Sequence, residues 1–484
     1  VNQDLSSQPT PPATDARQQL RREMGFWDVL LFNLAAVLGP RWIAAAARNG
    51  TSSISLWALA AVLFFIPTAL IVVELSTRFP QEGGLYVWSK EAFGEFHGFV
   101  AGWSYWVYSV FYFPGLLMAS ASMAAYSGGA SQAYLAQNRT FLMVVSLLLL
   151  IVAVWLNIIG LNIGKWLQNV GGVCTYVPLL VLLGVALVIW WLHGSATHFT
   201  WHNILPQWNL ATVNFWSQIA FAFTGLELAS AMSEEVKNPR RTFPRAVLGS
   251  SLLIAGIYIA GTVGVLVLLS DVTVDPKSGV FQAITQGTVL LKAGALGMVA
   301  AVLVTVGNAG GVGATVAGVS RIPFVVGIDR YLPEAFGKVH PRWRTPYVSI
   351  LVQAVASGII LLVIQINETA IGAYQILVDA ATILYFLPFL YMYAAAIKLA
   401  YRKDRTEGRN AVLIPGGKAG VWLAGALGFG ITALSILLAL IPPGEIENKI
   451  LFEGKLVAGT VIAILLGLVL YSRGARSKTS AVLR

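Results

Sequence analysis

The chain has 484 residues, of which 57% are apolar and 11% charged, with a formal net charge of +10 and a single cysteine. That balance excludes a water-soluble globule of ordinary polar surface, and one cysteine excludes both a disulfide framework and a multi-cysteine metal site. The basic residues lie in short stretches between apolar runs, so they report membrane topology rather than a nucleic-acid surface.

Twelve apolar runs, at 25–48, 53–77, 95–127, 141–159, 168–193, 212–234, 244–270, 290–320, 346–365, 371–399, 419–441 and 453–472, predict an all-α membrane protein of twelve spans. Each reaches the roughly 17–25 residues that a bilayer-crossing helix needs. Residues 1–24 are a polar tail without the apolar core and cleavage site of a secretory signal, so span 1 is expected to act as the insertion signal. With that tail inside, 25 Lys and Arg fall in cytoplasmic segments and 6 outside, which predicts both termini, including the basic tail 473–484, in the cytoplasm of a cell with this inner-membrane protein.

Span 1 is interrupted at Gly39-Pro40-Arg41, where Pro40 removes a backbone donor and Arg41 puts a permanent charge near mid-membrane. A guanidinium there needs a partner. Two readings stand: Arg41 binds a substrate carboxylate with its planar fork of donors, or it forms a fixed internal ion pair with Glu227. Asp28 and Glu74 lie near the cytoplasmic ends of spans 1 and 2, as gate or snorkelling groups. After Arg78 to Gly84, the run Leu85 to Phe93 suits a short interfacial helix. His193, His198 and His202 fall with Trp191, Trp201 and Trp208 around the loop after span 5, read as a solvated loop with interfacial anchors.

Span 6 carries Phe223-Thr224-Gly225-Leu226-Glu227, a flexible glycine beside a carboxylate at membrane depth. Broken backbone is tolerated there only where protein or a water-filled cavity satisfies it, so this stretch reads as a binding site. Two interrupted helices, one opening each half of the chain, point to a carrier with a midplane site. Glu227 is the first candidate proton-coupling group, and Asp379, deep in span 10, the second. Span 8 contains Gly307, Gly310, Gly311, Gly313 and Gly318, which allow another helix to approach closely, and Asn308 and Thr315 are available to a cavity there. Trp42, Tyr105, Tyr108, Phe221, Phe223, Tyr374 and Tyr385 are candidates to cover a substrate or surround an ammonium.

Phe221 to Glu227, followed by Glu234-Glu235-Val236-Lys237-Asn238-Pro239-Arg240-Arg241-Thr242-Phe243-Pro244, resembles the sixth-helix signature of the amino acid–polyamine–organocation (APC) transporters. Glu74-Leu75-Ser76 with Phe79-Pro80 and Glu82-Gly83-Gly84 is similar to the same family's connection between helices 2 and 3. Cys174-Thr175-Tyr176-Val177-Pro178, with Ile414-Pro415-Gly416-Gly417-Lys418 and Pro442-Pro443, resembles the bacterial glutamate/γ-aminobutyrate antiporter branch. The resemblance covers about residues 25–472. It implies a fold like the bacterial leucine transporter: a five-helix repeat at 25–193, an inverted second repeat at 212–399, and appended helices at 419–472. It also implies that backbone at the breaks in helices 1 and 6 holds an amino acid, with Phe221 as an aromatic gate, Gly225 and Glu227 in the unwound segment and Thr315 facing the site.

Two features depart from the family pattern. Leu38-Gly39-Pro40-Arg41-Trp42 replaces the usual small Gly-Ser/Ala-Gly run, so the carboxylate cradle of bare N–H groups is altered. Some proton-coupled relatives carry a lysine in helix 5 where this chain has Thr175. The expected function is a secondary amino acid transporter, an exchanger or a proton-coupled carrier, working by alternating access at a site including Gly39, Arg41, Trp42, Tyr108, Phe221, Phe223, Thr224, Gly225, Asn308 and Thr315. A polyamine or amine carrier and, behind it, a channel are the alternatives. Neither an enzyme motif nor a nucleotide-binding motif is present, and no cofactor or metal is expected; the partners are a small solute and the lipid bilayer.

Overall fold

Backbone amides in hydrocarbon must pair within their own segment, which leaves the helix as the available form for runs this apolar. A computed structural model describes residues 24–482 except 82, 160, 207–209, 329–330, 365–369, 403–413 and 443–447. Among the described residues ten helices are long and apolar enough to cross a bilayer, and the extended pairing is a lone parallel bridge between Met24 and Val236. The chain is a multi-pass membrane protein.

The elements follow in chain order as α1 (Phe26–Val37), α2 (Pro40–Arg48), α3 (Ser52–Arg78), α4 (Leu85–Phe93), α5 (Glu95–Ala124), α6 (Arg139–Ile159) and α7 (Leu161–His193). After them come α8 (Leu210–Ala222), a 3-10 segment (Leu226–Glu235), α9 (Pro239–Leu268), α10 (Gly279–Leu290) and α11 (Gly294–Val319). The last are α12 (Arg321–Ile328), α13 (Tyr347–Ile364), α14 (Ala370–Ala400), α15 (Gly417–Ala439) and α16 (Lys449–Val482). Neither α8 nor the 3-10 segment is long enough alone to cross. The predicted short helix at Leu85–Phe93 forms, but its Tyr86 and Trp88 are buried instead of lying at an interface.

Burial sorts the helices into interior and rim. In its most apolar window Phe26–Arg48 is 83% buried and the Glu95–Gly128 span 89%, whereas Lys449–Ala475 is only 17% buried. The first two are therefore central elements and α16 turns most of its surface outward. α1 packs against α7, α9, α11 and the 3-10 segment, and α2 against α9 and α10. Glycines on α11 set how closely it approaches: a Cβ on Gly318 would lie 2.6 Å from Cγ of Leu228, and one on Gly311 3.0 Å from the Ala35 carbonyl oxygen. The predicted small-residue seam thus faces α1 and the 3-10 segment.

One end of the 3-10 segment is tied down twice. Met24 donates its N–H to the Glu235 carbonyl at 3.1 Å and accepts from the Lys237 N–H at 2.8 Å. Glu235 also forms a buried ion pair with Arg321, whose Nε and Nη2 each lie 3.0 Å from Oε1. Arg321→Met would break this buried ion pair by removing one partner and is expected to cost about 3–5 kcal/mol. Thermal unfolding of the purified variant checks this.

Candidate functional site

The chain leaves the α-helix between α1 and α2 and again between α8 and the 3-10 segment. At the first place Leu38 and Gly39 are extended, and Pro40 begins α2, where its missing N–H costs nothing because the first turn has no helical acceptor. At the second, Gly225 has φ +115°, a conformation that L side chains rarely adopt, and a Cβ there would sit 3.0 Å from Cγ2 of Val37. Gly225→Ala is accordingly expected to destabilise the protein by about 1–3 kcal/mol, read from denaturant or thermal unfolding in detergent.

Two small cavities adjoin these interruptions, with about 330 Å³ and 340 Å³ of space not filled by atoms, open solvent included. The first is lined by Trp42, Tyr108, Phe221, Thr224, Gly225 and Tyr385, and the second by Leu38, Gly39, Arg41, Asn308 and Gly311. Ala36, Val37, Tyr112 and Thr315 border both, so the two share one wall of α1, α5 and α11.

Helix ends border both cavities: the carboxyl end of α1 reaches the two through Val37, the carboxyl end of α8 reaches the first through Phe221 and Ala222, and the amino end of α2 reaches the first through Trp42 and the second through Gly39 and Arg41. Helix C-termini favour cations and N-termini anions.

Arg41 is 3% exposed, and among the described residues its Nε and Nη1 have no hydrogen-bond partner. Its guanidinium carbon lies 4.5 Å from the Trp42 ring centroid and 4.9 Å from that of Tyr112, so aromatic faces hold the charge. The internal ion pair with Glu227, one of the two readings from sequence, is not formed. Glu227 is turned elsewhere: Oε1 accepts from the Tyr105 hydroxyl at 2.8 Å and from the Tyr385 hydroxyl, and Oε2 accepts from the Gly225 N–H at 3.1 Å. The acid thereby holds the backbone of the second interruption and sits behind Tyr385, which lines the first cavity.

Two expected site residues lie elsewhere. Phe223 stacks on Phe65 with centroids 4.3 Å apart and packs edge-on to Trp57 at 5.0 Å, behind the cavities, because it stands two residues from Phe221 and so about 200° around a helix. Asp379 lines neither cavity; both its oxygens accept from Nε2 of Gln375, at 3.0 and 3.2 Å, one turn away on α14. Tyr374 likewise lines neither. Asn308, which lines the second cavity, meets Sδ of Met123 at 3.3 Å, and Thr315 donates to the Gly311 carbonyl at 2.9 Å. The side chain of Thr175 lies outside the described residues, while His193, His198 and His202 are exposed.

Tyr112 and Tyr258 belong to the site although they were not expected there. Tyr112 completes an i, i+3, i+7 row with Tyr105 and Tyr108 on one face of α5, a spacing visible in the sequence. Tyr258, on α9, bonds backbone at both interruptions, and no local pattern marks it. Outside the spans, Lys277 between α9 and α10 is buried, with Nζ 3.3 Å from Oε1 of Gln137; burial lowers its pKa, and nearby Asp275 pulls the other way.

The chain as a whole resembles known proteins. The chain is 29% identical over 453 residues to an uncharacterized transporter of Legionella pneumophila, covering 92% of this chain and 95% of that protein. It is 27% identical over 358 residues to the serine/threonine exchanger SteT of Bacillus subtilis, covering 71% and 77%. To the branched-chain amino acid permease BcaP of Bacillus subtilis it is 24% identical over 388 residues, covering 74% and 78%. The solved structure of MhsT in complex with L-phenylalanine superposes with a TM-score of 0.64 at 14% identity, covering 86% of this chain and 98% of that one, so the two share a leucine-transporter-type fold. A family model described as amino acid permease matches residues 24–466, nearly the whole apolar region. The chain is therefore an amino acid permease of the APC transporter superfamily.

Proposed function

We propose that this amino acid transporter is a secondary carrier, an exchanger or a proton-coupled carrier, working by alternating access around the two interruptions. In this reading α1 with α2, and α8 with the 3-10 segment, are broken spans 1 and 6 of twelve. Residues 25–193 and 212–399 are inverted five-helix repeats, with the last two spans at 419–472. The basic-residue asymmetry supports an inner-membrane orientation with both termini in the cytoplasm.

The observation that carries the proposal is a buried guanidinium, Arg41, lining one of two adjoining cavities that the ends of three helices border. A zwitterionic amino acid would set its carboxylate against Arg41, Asn308 and the amino end of α2, and its ammonium toward the carboxyl ends of α1 and α8. Phe221, Trp42, Tyr108 and Thr224 would then enclose its body. Arg41 supplies what Pro40 cannot, a donor pair for carboxylate where the usual bare N–H groups are missing. Glu227 is the proposed proton-coupling group, since it bonds Tyr385 and Gly225, both of which line the first cavity, and a change in its charge would alter both. Asp379, remote from the cavities, is a weaker candidate for the same task.

The relatives also include a probable agmatine/putrescine antiporter, AguD, of Lactococcus lactis, 27% identical over 259 residues. A dication in this site would face Arg41, which speaks against that substrate class here. Purified protein in liposomes preloaded with an unlabelled solute tests both. Saturable counterflow of labelled neutral or acidic amino acids is expected, with putrescine failing to compete. Putrescine exchange, or unitary currents without counterflow, would overturn the reading.

A further inference from the structure

The hydroxyl of Tyr258 meets three backbone groups from the two interruptions. It donates to the Val37 carbonyl at 2.6 Å, lies 3.2 Å from the Ala222 carbonyl, and accepts from the Gly39 N–H at 3.2 Å. Val37 ends α1, Gly39 precedes α2, and Ala222 ends α8, so a single oxygen touches three helix termini. A phenol carries one proton. Full donation to Val37 leaves Ala222 only a weak share, which is what the two distances describe.

The ring is held on several sides. It stacks on Trp57 with centroids 4.4 Å apart and planes 11° from parallel, and Phe223 packs against it edge-on at 5.6 Å. Nε1 of Trp57 donates to Oγ1 of Thr262 at 3.1 Å, one turn along α9 from Tyr258 itself. Tyr258 is fully buried and lines neither cavity. Its hydroxyl is thus fixed to α9, and the helix ends at both interruptions must move against it.

We propose that Tyr258 is a positioning residue that links the two interruptions through its one shared proton. When α1 withdraws, the proton turns to the Ala222 carbonyl; when the end of α8 withdraws, it stays with Val37. Separating both at once strands the hydroxyl in apolar surroundings, so the two broken elements loosen as a coupled pair. The inference rests on the reading of these interruptions as the moving parts of a carrier.

Hydrogen exchange on the whole protein, with no solute added, tests the coupling directly. In Tyr258→Phe, which keeps the ring stack, amides in 36–42 and in 220–226 are both expected to exchange about tenfold faster, with α15 unchanged. Placing p-aminophenylalanine at 258, which restores a donor, should recover protection at 220–226. In wild type, both segments should show one common opening constant as denaturant is raised, a measurement that does not depend on any variant folding. Loosening of one segment alone, loosening that extends to α15, or two different opening constants would overturn the proposal. Counterflow with independent openings would sink this inference and leave the carrier reading intact; coupled openings without counterflow would do the reverse.

Discussion

Arg41→Ala is expected to abolish measurable solute binding while leaving the empty protein at least as stable as wild type. Truncating one partner of a buried, hydrogen-bonded charge pair costs about 2–5 kcal/mol, roughly a 30-fold to several-thousand-fold loss of affinity. The empty protein responds differently because the guanidinium is 3% exposed with Nε and Nη1 unpartnered among the described residues, so its removal relieves a buried charge that rests against aromatic faces. Arg41→Lys keeps a point charge but loses the planar fork, and an intermediate affinity is expected. Thermal unfolding with and without an amino acid panel reads both quantities at once, since a bound solute raises the transition. Unchanged solute-induced shifts in Arg41→Ala, together with a lower transition for the empty protein, would make Arg41 a packing group for Trp42 and Tyr112 instead.

Glu227 carries the second large effect. Glu227→Ala would leave the hydroxyls of Tyr105 and Tyr385 and the N–H of Gly225 without their acceptor in a buried setting. At about 1–3 kcal/mol for each orphaned group, the variant is expected to lose several kcal/mol and to express poorly. Glu227→Gln is the informative change. Its amide oxygen can still accept from both tyrosines, but its nitrogen meets the Gly225 N–H as donor to donor. The variant is expected to fold, to transport about 10- to 100-fold more slowly, and to lose the pH dependence of uptake. A rate-against-pH profile that superimposes on wild type after scaling would exclude Glu227 as the coupling group.

These two residues could be read from sequence because charge at membrane depth is rare and costly, whatever surrounds it. The same holds for Gly225, whose permissive backbone marked a place where the helix could stop. Phe223 and Asp379 show the limit of such reading. Hydropathy gives the depth of a residue, but its direction around the helix depends on which neighbours pack there, and Phe221 and Phe223 point to nearly opposite sides. The two readings of Arg41 could not be separated for a related reason: Glu227 has three donors on two other helices and its own loop, none of them near Arg41 in the chain.

The sequence alone determined that the chain is helical and membrane-embedded, that it carries one cation and two acids at depth, and that glycine and proline interrupt two apolar runs. Each of these follows from composition and local backbone chemistry. Only the tertiary structure decided that the acid faces tyrosines and the cation a separate cavity, and that Tyr258, 36 residues beyond Ala222 and 221 beyond Val37, holds both interruptions. Those contacts depend on the angles and separations at which distant helices pack, which shape complementarity among many side chains sets jointly.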